Sequence, residues 1–164
     1  MSNYYYMIDS PIGQLHLAAN NKSLTAIHHS LDRLKNWNKN KVIFNNGKNR
    51  IIEKTILQLT EYFKGLRKNF DIPIEFDGTE FQLKSWNALT KIPYAETVSY
   101  SYQAKLIGNP KASRAIGNAN NANPISIIVP CHRVIGKSGK LVGYGGGLDR
   151  KTFLLELEQK HDKI

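Results

Sequence analysis

The sequence is poor in cysteine, holding one in 164 residues, Cys131. That excludes an internal disulfide and any zinc site built on several thiolates, and it suits a reducing compartment where a reactive thiol survives. Acidic residues are also short, with 13 Asp and Glu against 23 Lys and Arg and a formal net charge of +10. Such an excess, with a pI near 9.7, favours a polyanionic partner, nucleic acid before acidic membrane. The membrane alternative lacks a basic amphipathic stretch or a lipidation signal. No apolar run approaches the roughly 20 residues that a membrane-spanning helix needs. Met1-Ser2-Asn3-Tyr4-Tyr5-Tyr6 has neither the charged nor the apolar region of a secretory signal, so the expected location is the cytoplasm. His16, His28 and His29 have no cysteines or clustered carboxylates beside them. They read as surface or strand histidines rather than metal ligands, and no metal site is expected.

What is present is a core-forming composition, 41% hydrophobic, in a chain long enough for one medium or two small domains. The division is expected near Asp77-Gly78, giving domains 1–76 and 77–164. In the first, Tyr4 to Asp9 is aromatic-rich, Ser10-Pro11-Ile12-Gly13 is a turn, and Gln14 to Ala18 alternates with period two. After the turn Asn20-Asn21-Lys22, Ser23 to His28 completes a small antiparallel sheet. Residues 35–49 are polar, read as loop or weak helix around a strand fragment Val42-Ile43-Phe44. Ile51, Ile52, Ile56, Leu59, Tyr62, Phe63 and Leu66 fall at helical spacing, ending at Gly65. The fold class is therefore α/β of the α+β kind: a sheet with a helix, followed by a helical domain.

In the second domain Thr79 and Gln82 form a capping box for a helix stopped by Pro93. Ser99 caps a helix from Tyr100 to Ile107, closed by Gly108. Asn109 and Pro110 start a third, Lys111 to about Asn121, so the pair reads as a helix-turn-helix. That third helix carries Ala112, Ser113, Ala115, Gly117, Asn118, Ala119 and Asn120, nearly all small. Small residues permit close packing against another element, and equally close approach to DNA. A major-groove reader would carry several side chains able to reach base edges. A smooth helix suits the narrow minor groove and sequence-independent binding. Arg114 is the exception on it.

Cys131 stands in Ile128-Val129-Pro130-Cys131-His132-Arg133-Val134-Ile135. A strand over Pro124–Val129 ending on a Pro-Cys turn would hold the thiol at the mouth of a pocket. His132 and Arg133 would stabilise the nucleophilic thiolate. On a strand, adjacent side chains point to opposite faces, so contact between thiol and imidazole needs a bend or a bridging water. Glu158, with Leu154 and Leu157, places a carboxylate on or beside the apolar face of the last helix, where it needs a partner.

The order and spacing of these features resemble the alkylguanine-DNA alkyltransferase family, the methylated-DNA–protein-cysteine methyltransferases. The match runs strongly from about Asp77 to Glu158. It takes in Gly78-Thr79-Glu80-Phe81-Gln82 through Trp86, Ile92-Pro93-Tyr94, Thr97-Val98-Ser99-Tyr100, Ile107-Gly108-Asn109-Pro110 and Arg114-Ala115-Ile116-Gly117. The Cys131 segment, Gly139, Gly143-Tyr144-Gly145-Gly146-Gly147-Leu148, Lys151, Phe153-Leu154-Leu155 and Glu158 continue it. The first seventy or so residues match weakly.

The resemblance implies a ribonuclease-H-like first domain and a monomeric protein without a cofactor. Its partner would be duplex DNA carrying an alkylated guanine, bound in the minor groove through Ala112, Ser113, Arg114, Gly117 and Asn118. Arg114 would fill the gap left when the target base is flipped out. Cys131 would then take the alkyl group from the 6-oxygen of guanine, or the 4-oxygen of alkylthymine, in a single irreversible turnover. His132 would act as base through a water, Glu158 would orient His132, Asn123 would brace the turn, and Tyr100 would stabilise the departing guanine. Val134, Tyr144 and Gly145 would line the substrate pocket, with glycine where many relatives carry serine. Successive glycines there would let the loop accept bulkier alkyl groups. Two rivals share some of these residues. A cysteine hydrolase would also use Cys131, His132 and Glu158, but leaves the basic charge and smooth helix unexplained. A non-catalytic lesion-binding relative would lack the cysteine.

Overall fold

Alternating residues near the N-terminus form strands, and the turn at Gly13, whose φ is +100°, sets their register. In the computed structural model, which describes residues 2–163, β1 (Asn3–Ser10) pairs antiparallel with β2 (Gly13–Asn20). β2 in turn pairs antiparallel with β3 (Leu24–His28). The described chain divides into two compact units. One holds the residues up to Phe76 with Pro124–Ser126; the other holds Asp77–Asn123 and the residues from Ile127 onward.

In the first unit β2 is buried along nearly its whole length, from Leu15 to Asn20, so both faces of the sheet need a cover. Helix α1 (Leu31–Asn38) supplies one. Ser30 caps it by accepting from the Arg33 N–H, and Leu34 and Trp37 pack on Ala18, Ala26, Tyr5 and Phe44. Helix α2 (Arg50–Phe63) runs against β1, β2 and β3 and buries Ile51, Ile52, Leu59 and Tyr62. Each such side chain contributes roughly 1.5–3 kcal/mol of transfer free energy. Within residues 35–49 the weak helix is present, and only the strand fragment is corrected. Part of α1 lies there, and the strand is β4 (Asn45–Asn46), parallel to β1 at the sheet edge, while Ile43 is 91% exposed. Leu66 lies past the helix end and is exposed rather than part of the apolar stripe.

In the second unit the expected capping box opens α3 (Glu80–Leu89), with Thr79 and Gln82 bonding each other's backbone. Gly78 has no alternative residue, since a Cβ there would sit 2.7 Å from the Trp86 ring. Ser99 caps α4 (Tyr100–Leu106) and Gly108 closes it at φ +79°. A turn at Asn109 leads into α5 (Ser113–Asn121), which begins two residues later than its sequence suggests and has no side-chain cap. The three helices are tied by buried polar bonds. The Trp86 indole N–H donates to the Ala119 carbonyl (2.8 Å), and the amides of Gln103 and Asn120 bond reciprocally (2.9 and 2.8 Å). Short strands β5 (Val98–Ser99) and β6 (Val134–Ile135) pair in parallel, and α6 (Leu148–His161) closes the chain.

The strand expected over Pro124–Val129 does not form. Ile125 makes a single bridge to Ile27, and the chain then turns, with Ile127 at φ +74°. For a β-branched residue that conformation costs about 1–2 kcal/mol. Ile127 is 1% exposed, and burial of its side chain, roughly 1.5–3 kcal/mol, offsets the cost. Apolar continuity in the sequence reported burial here, not extension.

Candidate active site

The turn at Ile127 delivers Pro130 and then a single 3-10 turn, Cys131–Arg133. Its curvature supplies the bend that a strand would have lacked, so Cys131 and His132 belong to one tight turn. Asn123 holds the approach by donating from its amide to the Val129 carbonyl at 2.8 Å. Cys131 is 7% exposed and His132 is fully buried.

The imidazole Nε2 lies 2.7 Å from Oε2 of Glu158, a residue with no solvent exposure. Arg133 does not reach toward the thiol, as the sequence suggested. It grips the same carboxylate with Nε (2.8 Å to Oε1) and Nη2 (3.0 Å to Oε2), and its Nη1 donates to the Ile92 carbonyl (2.7 Å). The Ala95 N–H also donates to Oε1 (3.0 Å), from a residue held at φ +64°. Burial alone would raise the Glu158 carboxyl, but His132 and Arg133 outweigh it and hold the group well below the ordinary carboxylate range. The carboxylate is thus ionised, Nε2 of His132 carries the proton and donates it, and Nδ1 keeps a lone pair. Burial lowers the His132 pKa, with Glu158 opposing. Its Nδ1 is buried and makes no hydrogen bond among the described residues.

Lys151 completes the site, and the sequence reading assigned it no role. It is fully buried on α6, and its Nζ donates to the carbonyls of Val134 (2.6 Å), Val142 (3.1 Å) and Gly143 (3.1 Å). Burial lowers its pKa, while the charge of the nearby Cys131 raises it. The buried residues of α6 are Lys151, Leu154 and Glu158. That i, i+3, i+7 stripe was a legible signal for the lysine. Tyr100 donates from its hydroxyl to the Val142 carbonyl at 2.8 Å. Burial, and then the charge of Cys131, raise its pKa above the ordinary 10.0, so the hydroxyl stays protonated.

The remaining candidates fall in three places. Val134 is fully buried in β6, its carbonyl taken by Lys151. Tyr144 and Gly145 are half-buried in the loop before α6, whose neighbouring Gly146 carbonyl accepts from Arg150 (3.1 Å). On α5, Arg114 and Asn118 are exposed and Ser113 is half-buried, while Ala112, just before it, is buried. At Gly117 a Cβ would come within 3.9 Å of the Tyr100 ring, ordinary contact and no clash. The described residues contain no group of His, Cys, Asp and Glu able to hold a metal, and no described helix is long and apolar enough to cross a membrane.

A lone buried cysteine beside a buried His132–Glu158 pair, in a unit that also carries two short helices joined by a turn, is the set of features to compare with known proteins. Residues 80–160 match the family described as 6-O-methylguanine DNA methyltransferase, DNA binding domain, and residues 3–76 match its ribonuclease-like domain. A methylated-DNA–protein-cysteine methyltransferase of Methanosarcina acetivorans is 49% identical, over 94% of this chain and 97% of its own. One from Mycolicibacterium paratuberculosis is 48% identical, over 96% and 93%. The OGT of Mycobacterium tuberculosis, solved in complex with DNA, superposes with a TM-score of 0.88 at 46% identity, over 96% of this chain and 94% of that one. The chain belongs to the methylated-DNA–protein-cysteine methyltransferase family.

Proposed function

We propose that the protein repairs DNA by moving the alkyl group of a 6-O-alkylated guanine in duplex DNA onto Cys131, once per molecule, and that it acts as a monomer. The observation that carries this reading is the relay from Glu158 through His132 to the turn bearing Cys131. Nδ1 of His132, the free lone pair, takes the thiol proton through a bridging water. The thiolate sulfur attacks the alkyl carbon in line. An S–C bond forms, the C–O bond breaks, and its electron pair leaves on the guanine oxygen. The Tyr100 hydroxyl, bonded to Val142 at rest, turns to the departing base and stabilises its charge. Lys151 fixes the backbone of Val134, Val142 and Gly143 around the thiol. The same pocket, lined by Val134, Tyr144 and Gly145, accepts 4-O-alkylthymine.

DNA is brought by α4 and α5 in the minor groove. Arg114, exposed on the otherwise smooth face that includes Ser113, Gly117 and Asn118, fills the stack behind the flipped base. Phosphate contacts supply affinity and the sulfur supplies chemistry, so the two separate by mutation. Cys131→Ser should bind methylated duplex with wild-type affinity and transfer nothing, read by gel shift and by transfer of labelled methyl. A folded variant that loses binding in step with transfer would count against this reading.

A further inference from the structure

The charge of the first unit is not spread over it. Residues 33–54 hold seven lysines and arginines against one acid, Glu53, whereas the rest of the unit holds four against five. Lys35, Lys39, Lys41, Lys48, Arg50 and Lys54 are all exposed. They flank β4, the edge strand of the sheet. Lys39 follows α1, Lys48 lies 5.2 Å over the Tyr6 ring, and Arg50 is the first residue of α2. Lys35, Lys39, Lys48 and Arg50 make no ion pair among the described residues, while Lys54 pairs loosely with Asp71 at 3.5 Å.

Two features of this rim act against the stability of the unit. Lys39 and Asn40 lie successively in the left-handed region, at φ +46° and +59°, a conformation that asparagine tolerates but that disfavours lysine. Lys48 and Arg50 sit at the positive end of the α2 dipole, the wrong end for a cation. A lysine beside an edge strand blunts pairing with other sheets, but that does not account for arginine on a helix or for so many charges. Six asparagines between Asn36 and Asn49 add the amides that commonly accompany lysine on phosphate and sugar.

We propose that this rim is a second contact surface for the phosphate backbone of duplex DNA, additional to the helix-turn-helix. It rests on the reading of the protein as one that acts on duplex DNA. An acidic protein surface is the other polyanion of suitable sign, and duplex is favoured because the same protein already works on it.

The test is equilibrium binding of the full chain to lesion-free duplex over a salt series, which needs no chemistry at Cys131. A rim variant, K39Q/K41Q/K48Q/R50Q, is compared with a control of equal net charge, K22Q/K64Q/K160Q/K163Q, altered at exposed lysines elsewhere. Each phosphate neutralised contributes roughly 0.9 to the slope of log K against log salt. The rim variant should therefore lose about 3 to 4 in slope, and the control less than about 1. Thermal melting should show the rim variant folded, at or above the wild-type midpoint, because R50Q removes a cation from a helix start. Equal slopes for the two variants would assign the rim to an acidic protein or to solvent and overturn the proposal. Transfer of methyl from free methylguanine base to Cys131 should be unchanged in both. Its failure in the wild type would sink the repair reading and leave the binding comparison intact.

Discussion

Glu158 carries its negative charge with no solvent exposure, and Arg133, His132 and the Ala95 N–H account for it. Removing one partner of such a buried set leaves a charge uncompensated, so these residues stand or fall together. Ala95 holds its place at a cost, since a left-handed alanine is about 1 kcal/mol less favourable than a left-handed glycine. Ala95→Gly should keep the N–H on Glu158 and stabilise the protein by about 0.5–1 kcal/mol. Chemical denaturation would read this, and a loss of stability would show that the Ala95 methyl makes contacts worth more than the strain. Much of the site could be read at this scale. The need of Glu158 for a buried partner could be read from its place beside an apolar helix face, and that partner includes His132; that Asn123 holds the turn was implied only by the family resemblance. Arg133 was misjudged because its carboxylate lies 25 residues on. No local pattern distinguishes a guanidinium aimed at a neighbouring thiol from one aimed at a distant acid.

At the scale of elements, α4 and α5 are the proposed route to the lesion. Arg114 is proposed to stabilise only the extruded base, a state that a free base does not need. Arg114→Ala should therefore slow transfer from duplex at least tenfold and leave transfer from free methylguanine within about twofold, an effect of about 1.4 kcal/mol on the duplex route alone. Parallel rate measurements on the two substrates check it, and equal slowing would give Arg114 another role. Helix starts were legible at Thr79 with Gln82 and at Ser99, where a side chain performs the capping, but the caps Ser30 and Asn49 went unread among polar neighbours. The start of α5 was misplaced because Ala112 caps nothing and a turn at Asn109 intervenes. Helix α1 was seen only as a weak possibility, since it runs into a stretch rich in asparagine and lysine and two inward residues, Leu34 and Trp37, secure it by tertiary packing. The Pro124–Val129 segment read as a strand because a buried turn and a buried strand share one apolar signature.

Across the whole molecule, titration and stoichiometry are the informative observables. His28 is 4% exposed, meets the Trp37 ring at a tilt of 48°, and has its pKa pushed down to about 4 by burial, then by Arg33 and His16. Between pH 6.5 and 4 the unfolded chain takes a proton that the folded chain refuses, so this contribution is complete above pH 6.5 and falls away as pH drops toward 4. Lowering the pH from 7 to 5 should cost about 2 kcal/mol through His28 alone. His28→Phe, compared with wild type by denaturation at both pH values, should lose that much less, and an equal loss would contradict the assignment. The central claim concerns the fate of Cys131, the one cysteine in the chain. A thioether sulfur is a poor leaving group, and no second thiol in the chain exists to receive the methyl. Methylated duplex is titrated with protein while lesion loss and intact protein mass are followed together. Repair should rise linearly to a plateau at one protein per lesion, with a gain of one methyl group mapped to the peptide bearing Cys131. Sustained repair by substoichiometric protein, or repair that leaves Cys131 unmodified, would contradict the account.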